Sequence, residues 1–147
     1  MRPKKAQKKR WEALELDEMW TFVGHKQRKE WLWLAVERAS QSIVAWATGR
    51  RDAATARRLW RALPRRHRRH CWYFTDAWKA YVGVLPRWQH RRCPKGRGGT
   101  GIVEAVNGSL RHRCGVLVRK SCSFSKSLEM HEARIKIVID KYNLTLN

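Results

Sequence analysis

The sequence predicts an α/β domain with a mixed sheet, in which an antiparallel three-strand meander is joined by parallel strands and flanked by helices. Three observations support this fold class. Short apolar or alternating runs of strand length come first, helical spacing begins after residue 52, and a further apolar run of strand length lies between two helical segments. This order is typical of a sheet that carries helices on its faces.

The first three strands are predicted from alternation and from short apolar runs. Leu14 to Val23 alternates in polarity and is expected to be a half-buried strand carrying Asp17. The polar stretch Gly24 to Glu30 is expected to form a hairpin turn. Trp31 to Val36 and Ser42 to Ala47 have strand length, so the three strands form a meander.

Helix signals follow the third strand. Asp52 is placed to cap a helix that begins at Ala53, and Pro64 is expected to stop it. After a basic cluster, the run Cys71 to Thr75 is expected to be a buried strand that ends at Asp76.

The remaining elements alternate between helix and strand. We expect a short helix over 77–82, a strand over 88–93, and helices over 102–113 and 127–142. His131 lies on the apolar stripe of the last helix and is expected to be structural. The segment Pro94 to Gly101 has four glycines in eight residues, which disfavours regular structure and suggests a mobile loop that grips DNA.

Length and hydrophobicity indicate one packed domain. The chain has 147 residues, of which 43% are hydrophobic and nine are tryptophan. We expect a basic tail over 1–12 and a folded domain over 13–147. No apolar run approaches the roughly 20 residues that span a bilayer, and no secretory signal is recognisable, so a cytoplasmic protein is expected.

The charge balance indicates a polyanionic partner. Lysine and arginine number 33 against 12 acidic residues, which gives a net charge of +21. Nucleic acid is the expected partner, because each neutralised phosphate releases counterions. A membrane surface is the weaker interpretation, since the basic residues do not follow one amphipathic helix.

The cysteines suggest reduced thiols rather than a zinc site. No Cys-x-x-Cys pair occurs among the four. A zinc site from His90, Cys93, His112 and Cys114 can be imagined, but its spacing matches no common structural zinc pattern.

Elimination among the few acids leaves three candidates for chemistry. Asp17 lies within an apolar strand, Asp76 ends the most apolar strand, and Glu104 begins a helix after the glycine-rich loop. Acids in such settings need a partner that offsets desolvation, and Mg²⁺ held by carboxylates is a common one. Glu18 remains a rival ligand to Asp17.

The helix that carries Glu104 supports a shared site. At 100° per residue, Glu104, Asn107 and Arg111 fall within one sector, beside an apolar face that includes Val103 and Val106. Such a helix would press its valines on the sheet and direct its polar trio towards the other acids. Alternatively, Asn107 and Arg111 lie on the polar face of an ordinary amphipathic helix and have no role in a site.

Four ordered segments resemble the second-reading-frame protein of the insertion-sequence-one family of transposases, within the DDE transposase and integrase superfamily. They are Leu16 to Trp20, Thr75 to Trp78, Ile102 to Asn107, and Arg119 to His131. The resemblance extends from about Glu15 to Tyr142.

The resemblance implies a ribonuclease-H-like fold and a DNA transposase that uses Mg²⁺ or Mn²⁺, with two ions held by Asp17, Asp76 and Glu104. It implies DNA cleavage followed by strand transfer. Arg111 stands seven positions after Glu104, where many members carry a basic residue, and is expected with Asn107 to contact DNA near the cut. Further DNA contacts are expected from Lys95, Arg97, Arg119 and Lys120.

The family also suggests partners. We expect transposon ends and target DNA, at least a homodimer, fusion with an upstream-frame DNA-binding protein, and association with the bacterial nucleoid. Two alternatives stay open from sequence: a ribonuclease-H-like nuclease that does not join strands, and a non-catalytic basic nucleic-acid binder. Trp78, beside Asp76, is expected to fill the core rather than to stack on a base.

Overall fold

A five-stranded mixed sheet forms the centre of the computed structural model, which describes residues 10–76, 78–94, 98–114, 117 and 125–146. Its strands are β1 (Glu12–Val23), β2 (His25–Glu37), β3 (Ile43–Gly49), β4 (Cys71–Thr75) and β5 (His90–Arg92). The spatial order is β3-β2-β1-β4-β5. β1 and β3 pair antiparallel with β2, whereas β4 runs parallel to both β1 and β5. The predicted meander with added parallel strands is confirmed, and the arrangement is consistent with a ribonuclease-H-like fold.

In the part of the chain that the structure describes, three α-helices cover the sheet: α1 (Ala53–Ala62), α2 (Gly101–Arg113) and α3 (Leu128–Leu144). The side chain of Asp52 accepts from the Thr55 amide at the start of α1, and the helix stops before Pro64, as predicted. Ser127 caps α3 in the same way by accepting from the Met130 amide. No helix among the described residues is long and apolar enough to cross a membrane.

Each face of the sheet has its own hydrophobic core. On one face, α1 packs through Ala56 and Leu59 against β1 to β4. On the other face, α2 and α3 pack against β1, β2 and β3; the buried residues of that core include Val103, Leu110 and Ile135. The prediction that β1 is half-buried is therefore wrong. Glu15, Glu18 and Thr21 are buried and Asp17 is half-buried, because helices lie on both sides of the strand and the acids there find partners.

The hairpin between β1 and β2 is tighter than predicted. The chain turns at Gly24, whose φ of +76° suits glycine, and β2 begins at His25. The polar stretch that was expected to be a turn continues the ladder, with Lys29 opposite Phe22. Its first residues are exposed, so their polarity reflects a strand that extends past the core.

Two weaker elements are shorter than predicted. Where a helix was expected over 77–82, the described residues 78–82 contain a 3₁₀ turn, Lys79–Tyr81, and no α-helix. The strand expected over 88–93 is restricted to His90–Arg92. Tyr81 of the first segment packs into the core on the α1 side, whereas the second segment pairs with β4 over three residues.

Candidate active site: an acidic pocket

The acidic pocket consists of four carboxylates, Asp17, Glu18, Asp76 and Glu104, which line one cavity of about 640 Å³. It lies where the middle of β1 meets the end of β4 and the first turn of α2. The other lining residues are basic, aromatic or amide side chains: Trp20, Lys29, Trp31, Arg51, Asn107 and Arg111. A basic protein thus concentrates a third of its 12 acids at one cavity.

Parallel pairing brings the two aspartates together. Glu15 of β1 lies opposite Phe74 of β4, so continuing that register by two residues places Asp76 beside Asp17. One oxygen each from Asp17, Glu18 and Asp76 lies within 4.8 Å of the other two. Glu104 lines the same cavity from α2 but lies outside this tighter group of three.

Asp17 is held in an unfavourable environment for a negative charge. Burial is the largest influence, and together with the charges of Glu18, Asp76 and Glu104 it raises the pKa of Asp17 from 3.8 to about 7, against a lowering hydrogen bond from the Glu18 amide. The Asn107 amide nitrogen donates to Asp17 Oδ2 at 2.9 Å. The helix that carries Glu104 therefore also orients the first aspartate.

Glu15 determines where α2 begins, although the sequence did not single it out. Its buried Oε1 accepts from the amides of Ile102 at 2.9 Å and Val103 at 3.1 Å, so it occupies the helix N-terminus. Arg38 pairs with the other oxygen of Glu15 at 2.8 Å and donates to the Gly99 carbonyl at 2.9 Å. The available signal was position: Glu15 stands two residues before Asp17 and shares its face of β1.

Glu18 is tied to two partners on its own side of the strand. Its fully buried carboxylate accepts from Arg51 and from the Tyr81 hydroxyl, at 2.9 Å each. Burial is the largest influence on its pKa, which is raised despite these contacts. Because Arg51 and Tyr81 already donate to its oxygens, Glu18 is better suited to stabilising the wall of the pocket than to binding a metal ion.

Arg51 lies between two tryptophan rings beside this pair. Its guanidinium carbon is 4.7 Å from the centroid of Trp31 and 4.0 Å from that of Trp78. The Trp78 amide donates to Asp76 Oδ1 at 3.1 Å. Trp78 packs partly buried against the α1-side core, so it serves as core and as a support for the pocket wall.

The structure brings together some predicted site residues and does not describe others. Asp17, Asp76, Glu104, Asn107 and Arg111 all line the pocket. Four predicted DNA contacts lie outside the described residues: Lys95, Arg97, Arg119 and Lys120.

The histidines and cysteines that were considered have other surroundings. His131 is buried and shares hydrogen bonds with Thr21 and Ser125, so its structural role is confirmed. His90 contacts the Thr75 hydroxyl at 2.7 Å. Within the described part of the chain, no three of the four imagined zinc ligands, His90, Cys93, His112 and Cys114, converge.

Comparison with known proteins gives consistent matches over most of the chain. The family model described as IS1 transposase matches residues 12–145. The insertion element iso-IS1n protein InsB of Shigella dysenteriae is 35% identical over 128 residues, which cover 87% of this chain and 94% of that protein. The insertion element IS1 protein InsB of Shigella flexneri is 37% identical over 118 residues, covering 80% of this chain and 86% of that protein.

Proposed function

The chain belongs to the IS1 transposase family, and we propose that it cuts and rejoins DNA strands with divalent metal ions held by Asp17, Asp76 and Glu104. The observation that carries this proposal is the convergence of acids from β1, the end of β4 and α2 on a single cavity.

The donor set fits Mg²⁺ or Mn²⁺. The ligand atoms available are carboxylate oxygens, which hard divalent cations prefer, and no cysteine among the described residues lines the pocket. Burial and the neighbouring carboxylates raise the pKa of Asp17 to about 7, and a bound cation would offset both effects. Two ions, when bound, would activate the attacking oxygen and stabilise the leaving one.

The protein's own residues would position the acids and the DNA. Asn107 keeps one oxygen of Asp17 in place, and Glu15 fixes the helix turn that carries Glu104. Lys29 and Arg111 line the same cavity and would attract a phosphodiester to it. Alignment and electrostatic stabilisation would then supply most of the rate enhancement.

The proposed reaction has two phosphoryl displacements. In the first, water attacks a phosphodiester at the end of the element, the P–O3′ bond breaks, and a 3′-hydroxyl is released. In the second, that hydroxyl attacks a phosphodiester of the target, and the target's 3′-oxygen leaves. A nuclease without strand transfer would perform only the first.

We also propose the wider assembly that such a reaction needs. Two element ends must be joined together, so at least a homodimer is expected. End recognition would come from fusion with an upstream-frame DNA-binding protein. The charge of +21 would add non-specific DNA affinity and association with the nucleoid.

The decisive experiment compares wild-type protein with Asp76→Asn on a pre-cut transposon end and a target plasmid, with Mg²⁺ or Mn²⁺. The fusion with the upstream-frame protein is assayed in parallel. Wild type should join the end to the target, and Asp76→Asn should lose cleavage and joining while it keeps most DNA binding. Asp140→Asn is the matched control, because Asp140 is an exposed residue paired with Lys136.

Two outcomes would contradict the proposal. Cleavage without joining by wild-type protein would identify a nuclease. DNA binding with no metal-dependent chemistry in either the chain or its fusion would leave a nucleic-acid binder.

A further inference from the structure

Three tryptophans that are far apart in sequence form a cluster away from the acidic pocket. The tryptophan platform consists of Trp11, before β1, Trp72, on β4, and Trp88, before β5. The ring centroid of Trp11 is 4.8 Å from that of Trp72 and 5.2 Å from that of Trp88, and His70 packs edge-on against Trp11 at 5.5 Å. Neither hydrophobic core includes these rings.

The platform occupies a part of the sheet that α1, α2 and α3 do not cover. Cys71 and Tyr73 face the α1-side core, so Trp72 between them faces the opposite side. On that side, α2 and α3 pack mainly against β1, β2 and β3. The β4–β5 portion is therefore available for aromatic side chains that do not join the core.

Trp88 presents its ring to solvent. The residue is 62% exposed, whereas the other tryptophans of the described residues are buried or half-buried. Its neighbours hold it in place: Trp11 and Trp72 contact it edge-on, and its carbonyl accepts from Arg91 at 3.1 Å. Together with Trp11 and Trp72 it forms a contiguous aromatic patch, and such a patch with a polar rim is typical of a binding surface.

Positive charge surrounds the platform. Arg91 lies over the Trp72 ring at 4.3 Å, and a neighbouring cavity of about 630 Å³ is lined by Arg10, Arg66 and Arg69 along with Trp11. The acid of that cavity, Glu12, is 3.2 Å from His67 and 4.0 Å from Arg66. The three arginines outnumber this single acid, so the surface is suited to polyanions.

We propose that the tryptophan platform is a second nucleic-acid site, where unpaired bases of a DNA strand stack on Trp88 while the surrounding arginines contact its phosphates. Aromatic faces stack on bases that have left a duplex, and cationic surroundings retain the backbone. The proposal rests on the proposed function only in taking DNA as the partner, and it needs no chemistry at the acidic pocket.

The spacing to the acidic pocket suits one DNA molecule. Trp72 precedes Asp76 by four residues on β4, and Trp11 precedes Asp17 by six on the parallel strand β1. At about 3.3 Å per residue, the separation along the strands is roughly 13–20 Å. A strand with a rise of about 3.4 Å per nucleotide covers that distance in about four to six nucleotides. The platform would hold bases freed by fraying or distortion near the cut.

The test measures binding of the full chain to fluorescein-labelled oligothymidine by anisotropy, in EDTA so that no cleavage occurs. Trp88→Ala should weaken binding about 5- to 150-fold, in line with the loss of one base–aromatic stack. Trp88→Phe should retain most of the affinity, because a stacking face remains. Ile137→Ala, which changes an exposed apolar residue of α3, is the control and should bind as wild type.

An abasic oligonucleotide of the same length separates stacking from charge. Wild type should bind it more weakly than oligothymidine, and Trp88→Ala should bind it as well as wild type does. Arg69→Ala should weaken the binding of both oligonucleotides and reduce the salt dependence of that binding.

Other outcomes would overturn the proposal. If Trp88→Ala lost the same factor of affinity for oligothymidine, for the abasic strand and for duplex DNA, Trp88 would stack on no base. Unchanged DNA binding together with lost self-association would identify the platform as an interface between copies. Because every measurement is made without metal, a catalytically inactive chain can still confirm the platform, and an active one can still refute it.

Discussion

Replacing Asp17 by asparagine should stabilise the metal-free protein while it abolishes DNA cleavage. The folded state keeps this carboxyl partly buried near Glu18, Asp76 and Glu104, and its pKa rises from 3.8 to about 7. Asparagine removes the charge, keeps an oxygen to accept from Asn107, and adds an amide that can donate to a neighbouring carboxylate.

The magnitude follows from proton linkage. Between pH 3.8 and about 7 the folded protein retains a proton that the unfolded chain has released, so stability falls as the pH rises through this window. Above pH 7, the full rise in pKa corresponds to a loss of about 4 kcal/mol in the free energy of unfolding. Because Asp17 is partly exposed, we expect Asp17→Asn to gain roughly 2–4 kcal/mol at pH 8, or about 5–15 °C in Tm.

Thermal and denaturant unfolding in EDTA, at pH 4 and pH 8, measures this effect. The advantage of Asp17→Asn should be large at pH 8 and nearly absent at pH 4. Mg²⁺ should stabilise wild type more than the variant. The control Asp140→Asn should change stability by less than about 0.5 kcal/mol, since an exposed helical ion pair contributes little. A variant that is less stable than wild type at pH 8 would refute the argument that repulsion and burial strain this site.

Two further predictions concern elements that support the pocket. Glu15→Ala should lower the free energy of unfolding by about 2–3 kcal/mol, because it leaves Arg38 and two amides of α2 without their carboxylate, and it should also weaken Mg²⁺ binding. Urea unfolding and Mg²⁺ titration measure both; unchanged Mg²⁺ affinity would argue against a positioning role for Glu15. Ser127→Ala should cost about 1 kcal/mol through loss of the α3 cap, with Ser127→Asp close to wild type, and equal losses in the two variants would contradict the capping account.

The sequence by itself determined the elements whose signals are local. Asp52 and Ser127 cap helices because their side chains accept from amides three residues away. Pro64 stops α1 because proline has no amide hydrogen and disfavours helical geometry at the residue before it. Alternation and apolar runs located β1, β3 and β4 to within two residues. Apolar spacing on α3 predicted its buried face, including His131.

Candidate acids could also be selected from sequence, because only 12 exist and few stand in apolar surroundings. Asp17 and Asp76 were recognisable as acids on apolar strands, and Glu104 as part of a polar sector of its helix. What sequence could not supply was their partners. Asn107 bonds Asp17 across 90 positions, and Arg51 bonds Glu18 across 33.

The tertiary structure alone decided which strand faces are buried and which distant residues meet. Burial depends on what packs over a strand as well as on the polarity pattern of the strand. Alternation predicted that β1 has one solvent face, whereas α2 covers that face and makes Glu15 a buried helix anchor. The polar start of β2 looked like a turn because its ladder extends beyond the core. The tryptophan platform joins residues 11, 72 and 88 through parallel pairing of distant strands, and no local pattern encodes such a contact.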